Sequence, residues 1–325
     1  MNGEPRRNMR VGVIGTGVMG GHHVRLLDSM PEAELAGIYD SDPAVAASVV
    51  SRFSCRAFDS VEALADEVEA AVIAAPTVAH AELGTRLLKA GIHVLMEKPL
   101  AGSLGDADKL VEAAGEAILA VGHVEFHNPA VAKILSLGLP PGFVEVHRMG
   151  VFSPRSLDID VVLDLMIHDL QILHSLDPSP VEKLDAVGIN VLTPHVDIAN
   201  VRLELASGCV ANLTASRVSA EKIRKFRVFV PAGYYAVDYA QQDVQGYKLE
   251  KEGERPEIVR ADLPVAHDEP LKRELESFLA ACRGESDARI VSGEEGRRAL
   301  KTALRVVESM SARRTVSGSL PGALV

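Results

Sequence analysis

The residue pattern predicts an α/β half built on a doubly wound parallel sheet, followed by an α+β half with a largely antiparallel open sheet. Three observations carry this expectation. Up to about Val124, short β-branched runs alternate with longer helical patterns, as in successive βαβ units. Each of those runs is almost continuously apolar, the mark of strands covered on both faces. After Asn128-Pro129, strand-like segments follow one another without intervening helices, which favours antiparallel pairing.

In the first half the expected strands are 10–15, 34–40, 70–75, 93–96 and 118–122, and the helical pattern over 79–90 closes at Gly91. In the second half one helix is expected over 160–176. Strands are expected over 183–192, 199–205, 210–216, 226–230, 234–239 and 245–251. Two final helices, 270–282 and 293–311, show apolar spacing such as Leu300, Ala303, Leu304 and Val307 and should pack back on the sheet or on the first domain. The expected domains are 9–125 and 126–312, with loosely ordered tails at 1–8 and 313–325.

Composition removes several function classes. The 325 residues, 47% of them apolar, suffice for two real cores and exclude a disordered or fibrous chain. A net charge of −11 repels phosphate backbones, so nucleic acid is not an expected partner. Cys55, Cys209 and Cys282 form neither a disulfide framework nor a zinc ribbon, which fits a reducing cytoplasm. The basic start followed by VGVIGTGVMGG imitates a signal peptide, but its five glycines read better as a strand turning into a helix. No apolar stretch is long enough for a membrane helix, and no metal-ligand cluster is visible in the spacing.

The strand ending at Ile14 runs into Gly15-Thr16-Gly17-Val18-Met19-Gly20 and then a helical pattern, the context in which a GxGxxG loop binds a dinucleotide. Gly15 permits the tight turn, Gly17 lets the backbone approach a pyrophosphate, and Gly20 allows close helix packing. The next strand ends at Asp40, where a carboxylate would accept from both ribose hydroxyls and repel a 2′-phosphate, so NAD is expected over NADP. Alternatively, Asp40 opens the loop and caps the helix that follows.

Two further elements carry reactive groups. Met96-Glu97-Lys98-Pro99 ends a strand, where ligands of a doubly wound sheet sit; Lys98 is either reactive there or an exposed lysine before a proline turn. Asp164 and His168 are spaced i, i+4 on the expected helix, so the carboxylate can orient the imidazole. A buried satisfied histidine or a surface pair is the alternative, and the adjacent Asp169 faces elsewhere.

These pieces together resemble the Gfo/Idh/MocA oxidoreductases. The resemblance rests on the glycine loop with His23, Pro76-Thr77-x-x-His80, Ala90-Gly91-Ile92-His93-Val94-Leu95-Met96-Glu97-Lys98-Pro99-Leu100 and Asp164-x-x-x-His168, and it spans about 9–312. It implies an N-terminal Rossmann domain, a C-terminal α+β domain that forms dimers or tetramers, and hydride transfer between a sugar-like alcohol and NAD(P). Carried over, it implies Lys98, Asp164 and His168 as catalytic residues. Pro76, Thr77, His80, Glu97, Lys98 and Pro99 join the glycine loop and Asp40 around the cofactor.

Gly122-His123-Val124-Glu125 with Asn128-Pro129-Ala130, Ala215–Ser219 with Lys222 and Arg224, and Glu269-Pro270-Leu271-Lys272 resemble the nucleotide-sugar branch of that family, which oxidises C3 of UDP-N-acetylglucosamine. The branch's Arg-Phe before Asn-Pro is Phe126-His127 here, which removes one arginine contact. The expected substrate is a UDP-N-acetylhexosamine, oxidised to a 3-keto sugar that would suit lipopolysaccharide sugar synthesis. Substrate contacts are expected from Lys98, Asn128, Asp164, His168, Arg217 and Arg224. The cluster Arg217, Lys222, Arg224, Lys225 and Arg227 would attract the diphosphate, or is a solvated strand edge. Two alternatives stay open: a free polyol dehydrogenase of the inositol type, and a sensor that binds NAD without turnover.

Overall fold

The computed structural model describes residues 8–153, 159–250 and 255–312. The expected loose tails, apart from residue 8, and the last residue of the strand expected over 245–251 lie outside the described residues. Contacts divide the chain into two compact units.

The first unit alternates β1 (Met9–Ile14), α1 (Val18–Ser29), β2 (Ala33–Tyr39), α2 (Pro43–Val50), β3 (Arg56–Ala57), α3 (Val61–Ala65), β4 (Ala70–Ile73), α4 (Thr77–Lys89), β5 (His93–Glu97), α5 (Leu104–Ala114) and β6 (Leu119–Gly122). All strands pair in parallel, in the order β3-β2-β1-β4-β5-β6. The order reverses between β1 and β4, so the carboxyl ends of those strands border a topological switch point, where such sheets bind ligands. Helix starts follow local chemistry: Asp42 accepts from Ala44 N ahead of Pro43, Ser60 from Ala63 N, and Ser103 from Asp106 N. Strand β3 escaped the sequence reading because it is two exposed residues with no apolar run.

The second unit holds α6 (Pro129–Ser136), β7 (Phe143–Met149), a π turn over Val162–Met166, α7 (Ile167–Leu176), and strands β8 (Val181–Ile189), β9 (Ile198–Leu205), β10 (Val210–Ser216), β11 (Ile223–Val230), β12 (Gly233–Asp238), β13 (Asp243–Glu250) and β14 (Glu257–Ala261). The order is β14-β13-β12-β11-β7-β10-β9-β8, antiparallel except for the β7–β10 pair. Two of these strands were not expected. β7 hides its apolar half, because Glu145, His147 and a buried Arg148 interrupt it, and β14 is a largely exposed edge. The helix expected over 160–176 is not uniform: its first turn is the π turn, and the α-helix starts at Ile167.

Helix α8 (Pro270–Cys282) corrects the expected domain boundary. Residues Glu269–Arg297 cluster with the first unit, not with the second as a boundary at 126–312 requires. The cause is apolar: Leu271, Leu275, Phe278 and Leu279 enter the core formed by Val11, Val13, Val24, Leu27 and Ile38. Helix α9 (Gly293–Ala312) begins in the first unit, and from Arg298 its residues belong to the second, where Met310 lies over β8. A Cβ at Gly188 would fall 2.4 Å from the Met310 sulfur and 2.8 Å from a Val196 methyl, so a larger residue there would displace those side chains. Among the described residues no helix is long and apolar enough to cross a membrane.

His174 on α7 is 5% exposed, with Nε2 facing the Thr302 hydroxyl at 2.8 Å. Burial, helped by the Arg298 charge, pushes its pKa down from 6.5 to about 4. A histidine whose folded-state pKa is lowered binds its proton more readily when unfolded, so stability is complete above pH 6.5 and falls as pH drops toward 4. The expected loss over that window is about 3 kcal/mol. Urea unfolding of the wild type and of His174→Gln at both pH values checks it, and an equal acid loss in the two proteins would refute the assignment.

Candidate active site

Backbone geometry at the first turn matches the chemistry expected of it. Gly15 has φ +80°, and a Cβ there would meet Ala75 N at 2.6 Å; a Cβ at Gly20 would meet the Gly15 carbonyl oxygen at 1.9 Å. Both glycines are therefore fixed by protein packing against protein. Gly17 is different, since a Cβ there would have nothing within 4 Å. It caps α1 with no side-chain acceptor, leaving amide donors of the first turn open to an anion at the positive end of the helix. Val18 and Met19 are exposed beside it, at 58% and 39%.

Asp40 follows β2 and is held from two sides. Thr16 donates to Oδ2 from its backbone N at 2.6 Å and from its hydroxyl at 2.9 Å, while Asp42 N donates to Oδ1 at 2.9 Å. Burial would raise the Asp40 pKa, but these hydrogen bonds outweigh it and hold the carboxyl below its usual value. The side chain is thus a fixed carboxylate with lone pairs to spare for ribose hydroxyls. An anion cradle at Gly17 and a fixed acceptor beyond β2 fit the diphosphate and ribose of a dinucleotide. Thr16 serves this site by orienting Asp40.

At the neighbouring strand ends, Pro76 precedes α4 and Thr77 begins it. His80 was expected at the cofactor, yet its ring is 1% exposed, with Nδ1 3.1 Å from the Pro99 carbonyl and Nε2 2.9 Å from the Ala75 carbonyl. It ties the end of β4 to the loop after β5 from behind, and burial holds its pKa below the usual value despite those carbonyls. Lys98 and Pro99, joined by a cis peptide bond, open that loop.

Glu97 is 8% exposed; its Oε1 accepts from His23 Nε2 at 2.9 Å and its Oε2 from Lys98 N at 3.2 Å. Gly122 makes room for it, since a Cβ there would sit 3.2 Å from the Glu97 carboxyl carbon. A third residue completes the group, because donor atoms of His23, Glu97 and Glu274 lie within 4.8 Å of one another. Sequence spacing concealed this cluster, as its members are far apart in the chain. One signal was readable: Glu274 occupies the apolar stripe Leu271-x-x-Glu274-Leu275-x-x-Phe278 of α8.

In the second unit Asp164 lies in the π turn and His168 on the first turn of α7, at 8% exposure. Their chain neighbour Asp169 anchors the helix. Arg148 of β7 donates to Asp169 through Nε at 2.6 Å and Nη2 at 2.8 Å, and to Glu125 through Nη1 at 2.8 Å. The Tyr239 hydroxyl donates to Asp169 at 2.9 Å. The guanidinium is 3% exposed and stacks 4.8 Å from the Tyr239 ring. Burial would raise the Glu125 pKa, but Arg148 and Arg224 outweigh it and keep the group charged. Sequence reasoning set Asp169 aside as structural and missed Arg148, whose position in an unexpected strand hid it.

Three expected substrate contacts are occupied with holding the second unit together. Asn128 is 2% exposed; it caps α6 by accepting from Ala130 N and donates to the Tyr239 carbonyl at 3.0 Å and to Glu125 at 3.4 Å. Arg217 is 6% exposed, donates to the Ile159 carbonyl, and its Nε lies 3.6 Å from Asp197. Arg224 reaches Glu125 at 3.3 Å. The basic cluster is also divided by strand geometry, since successive residues of β11 face opposite sides. Lys225 pairs with Asp238 at 3.7 Å and Arg227 with Glu145 at 2.6 Å. A single cationic patch therefore does not form.

A parallel sheet whose switch point carries a glycine turn, a helix N-terminus without a side-chain cap and a fixed carboxylate after the second strand has the architecture of a dinucleotide-binding domain. Residues 9–123 match the Gfo/Idh/MocA oxidoreductase family, described by its NAD-binding Rossmann fold. Over 305 residues the chain is 37% identical to UDP-N-acetylglucosamine 3-dehydrogenase of Acidithiobacillus ferrooxidans, covering 92% of this chain and 96% of that protein. A crystal structure of the same enzyme superposes with a TM-score of 0.86 at 36% identity, covering 94% of this chain and 99% of that one. Inositol 2-dehydrogenase of Rhizobium meliloti is 30% identical over 348 residues, covering 95% of this chain and 99% of the relative. The chain belongs to the Gfo/Idh/MocA family and is an NAD-binding oxidoreductase acting on CH–OH groups.

Replacing Asp40 by Ser removes the ribose acceptor and its charge. NAD is expected to bind about tenfold more weakly and the preference over NADP to shrink. Titration of both cofactors checks this, and an unchanged preference would remove Asp40 from the cofactor site.

Proposed function

We propose that this enzyme oxidises a ring hydroxyl of a sugar, C3 of a UDP-N-acetylhexosamine, to a 3-keto sugar. The observation that carries the reading is the 37% identity, over nearly the whole of both chains, to a UDP-N-acetylglucosamine 3-dehydrogenase. By resemblance to the family, the reading assigns alkoxide stabilisation to Lys98 and the acid–base role to the Asp164–His168 pair.

In the proposed reaction the His168 imidazole accepts the hydroxyl proton, and the Asp164 carboxylate stabilises the imidazolium that results. The role assigned to the Lys98 ammonium is to stabilise the alkoxide that develops as the proton leaves. NAD, when bound, supplies the acceptor for the hydride that leaves the carbinol carbon. Gly17 with the first turn of α1, together with Asp40, would hold that cofactor by its diphosphate and ribose.

Inositol-type polyol oxidation is a second reading with its own support. An inositol 2-dehydrogenase aligns over almost the full length, and the arginines expected at a diphosphate are engaged within the second unit. Exposed apolar residues Val187 and Ile189 on β8 and Tyr247 and Leu249 on β13 favour a homodimer or homotetramer.

Nicotinamide reduction is followed with UDP-N-acetylglucosamine, UDP-glucose, free N-acetylglucosamine and myo-inositol, a carbonyl trap drawing the reaction forward. Turnover restricted to the UDP-acetamido sugar is expected; turnover with myo-inositol alone would establish the second reading. Lys98→Met should lower kcat about 10²- to 10³-fold, and His168→Ala about 10²- to 10⁴-fold. Full turnover by either variant would overturn its assigned role.

A further inference from the structure

Helix α8 directs one stripe into the core of the first unit, and every residue of that stripe except one is apolar. Glu274 is the exception: it is 1% exposed, and neither carboxyl oxygen has a hydrogen-bond partner among the described residues. It stands beyond hydrogen-bond reach of Glu97, yet its donor atom and those of Glu97 and His23 lie within 4.8 Å of one another. Both Glu97 oxygens already accept, one from His23 Nε2 at 2.9 Å and the other from Lys98 N at 3.2 Å. An oxygen pair that receives two donors is the carboxylate, whereas a buried carboxyl that receives none must hold its proton.

We propose that Glu274 is a positioning residue for Lys98: a buried neutral acid whose proton is donated toward the Glu97 carboxylate, across a gap closed by rotation of its own carboxyl or by one water. Glu97 is thereby held as the acceptor that fixes the Lys98 backbone N–H. Burial, reinforced by the neighbouring Glu97 charge, pushes the Glu274 carboxyl well above the usual carboxylate range. The groups facing it are His23 from α1 and Glu97 from β5. A residue chosen only to fill this stripe would be leucine or isoleucine, because an unpartnered carboxyl costs stability there. The proposal rests on the reading of Lys98 as the group that stabilises the alkoxide.

Infrared difference spectroscopy of the full chain tests the protonation. At pH 7 the wild type is expected to show a protonated carboxyl C=O band, shifted by deuteration and absent from Glu274→Gln. Lack of that band, or a stoichiometric divalent cation that co-purifies with the wild type and is lost in Glu274→Gln, would overturn the proposal. Kinetics test the positioning. With the sugar that the panel identifies, Glu274→Leu should lower kcat about tenfold with NAD affinity little changed, and Glu274→Gln, neutral and still a donor, should recover most of that loss. Wild-type kcat in Glu274→Leu, or an equal fall in both variants, would leave Glu274 a packing residue only. Full turnover by Lys98→Met would remove the catalytic reading and the positioning role together, while the infrared band would still report the proton.

Discussion

A charge taken out of water must meet an opposite charge or be neutralised by a proton gained or lost, and the two units answer that constraint in opposite ways. In the second unit the fully buried Arg148 donates to two carboxylates, Asp169 and Glu125, and the first of these also accepts from the Tyr239 hydroxyl. In the first unit two carboxyl groups, Glu97 and Glu274, lie close together, and the donors that reach them, His23 Nε2 and the Lys98 backbone N–H, both go to Glu97. Two carboxylates about 4–5 Å apart would repel by roughly 4 kcal/mol at an effective dielectric of 20. A proton on one of them removes that cost.

Both arrangements stand directly behind residues assigned to chemistry. Asp169 is the chain neighbour of His168, so clamping Asp169 to β7 fixes the first turn of α7 where the imidazole is carried. Glu97 is the chain neighbour of Lys98 and receives its backbone N–H. In each unit a buried carboxylate next to the reactive residue converts packing of the core into placement of a functional group. The π turn over Val162–Met166 adds to this, because such turns reset the direction of side chains just ahead of a helix.

The α/β order of the first unit, its glycine turn and Asp40 were legible because each rests on contiguous sequence with one physical meaning. Continuous apolar runs gave away strands covered on both faces, and of the duties read for the three glycines the tight turn at Gly15 and the close packing at Gly20 are seen in the backbone geometry. Legibility ended where function depends on residues distant in the chain. Arg148 hid in β7 because a buried arginine breaks the alternation that marks a strand, and its partners, Glu125 and Asp169, stand about 20 residues away on either side. The arginines near 217–227 misled for the converse reason. Charge density along a sequence says nothing about which strand face each cation takes or which acid neutralises it, and Asp197, Glu125, Asp238 and Glu145 do so here.

Glu274 shows how a violation of pattern carries information that agreement does not. A helix stripe of Leu271, Leu275, Phe278 and Leu279 explains why α8 joins the first unit, and any apolar residue at 274 would serve that purpose better than a carboxyl. The acid is tolerated because a neutral carboxyl costs far less to bury than a carboxylate. What it can offer in return is a hydrogen-bond donor that apolar residues lack, aimed at the carboxylate beside Lys98. A lysine has four rotatable side-chain bonds, so the placement of its ammonium begins with the backbone that carries it. Fixing the backbone from which the side chain departs is the part of its placement that a core can supply, and α8, arriving from the far end of the sequence, lies where it can do so.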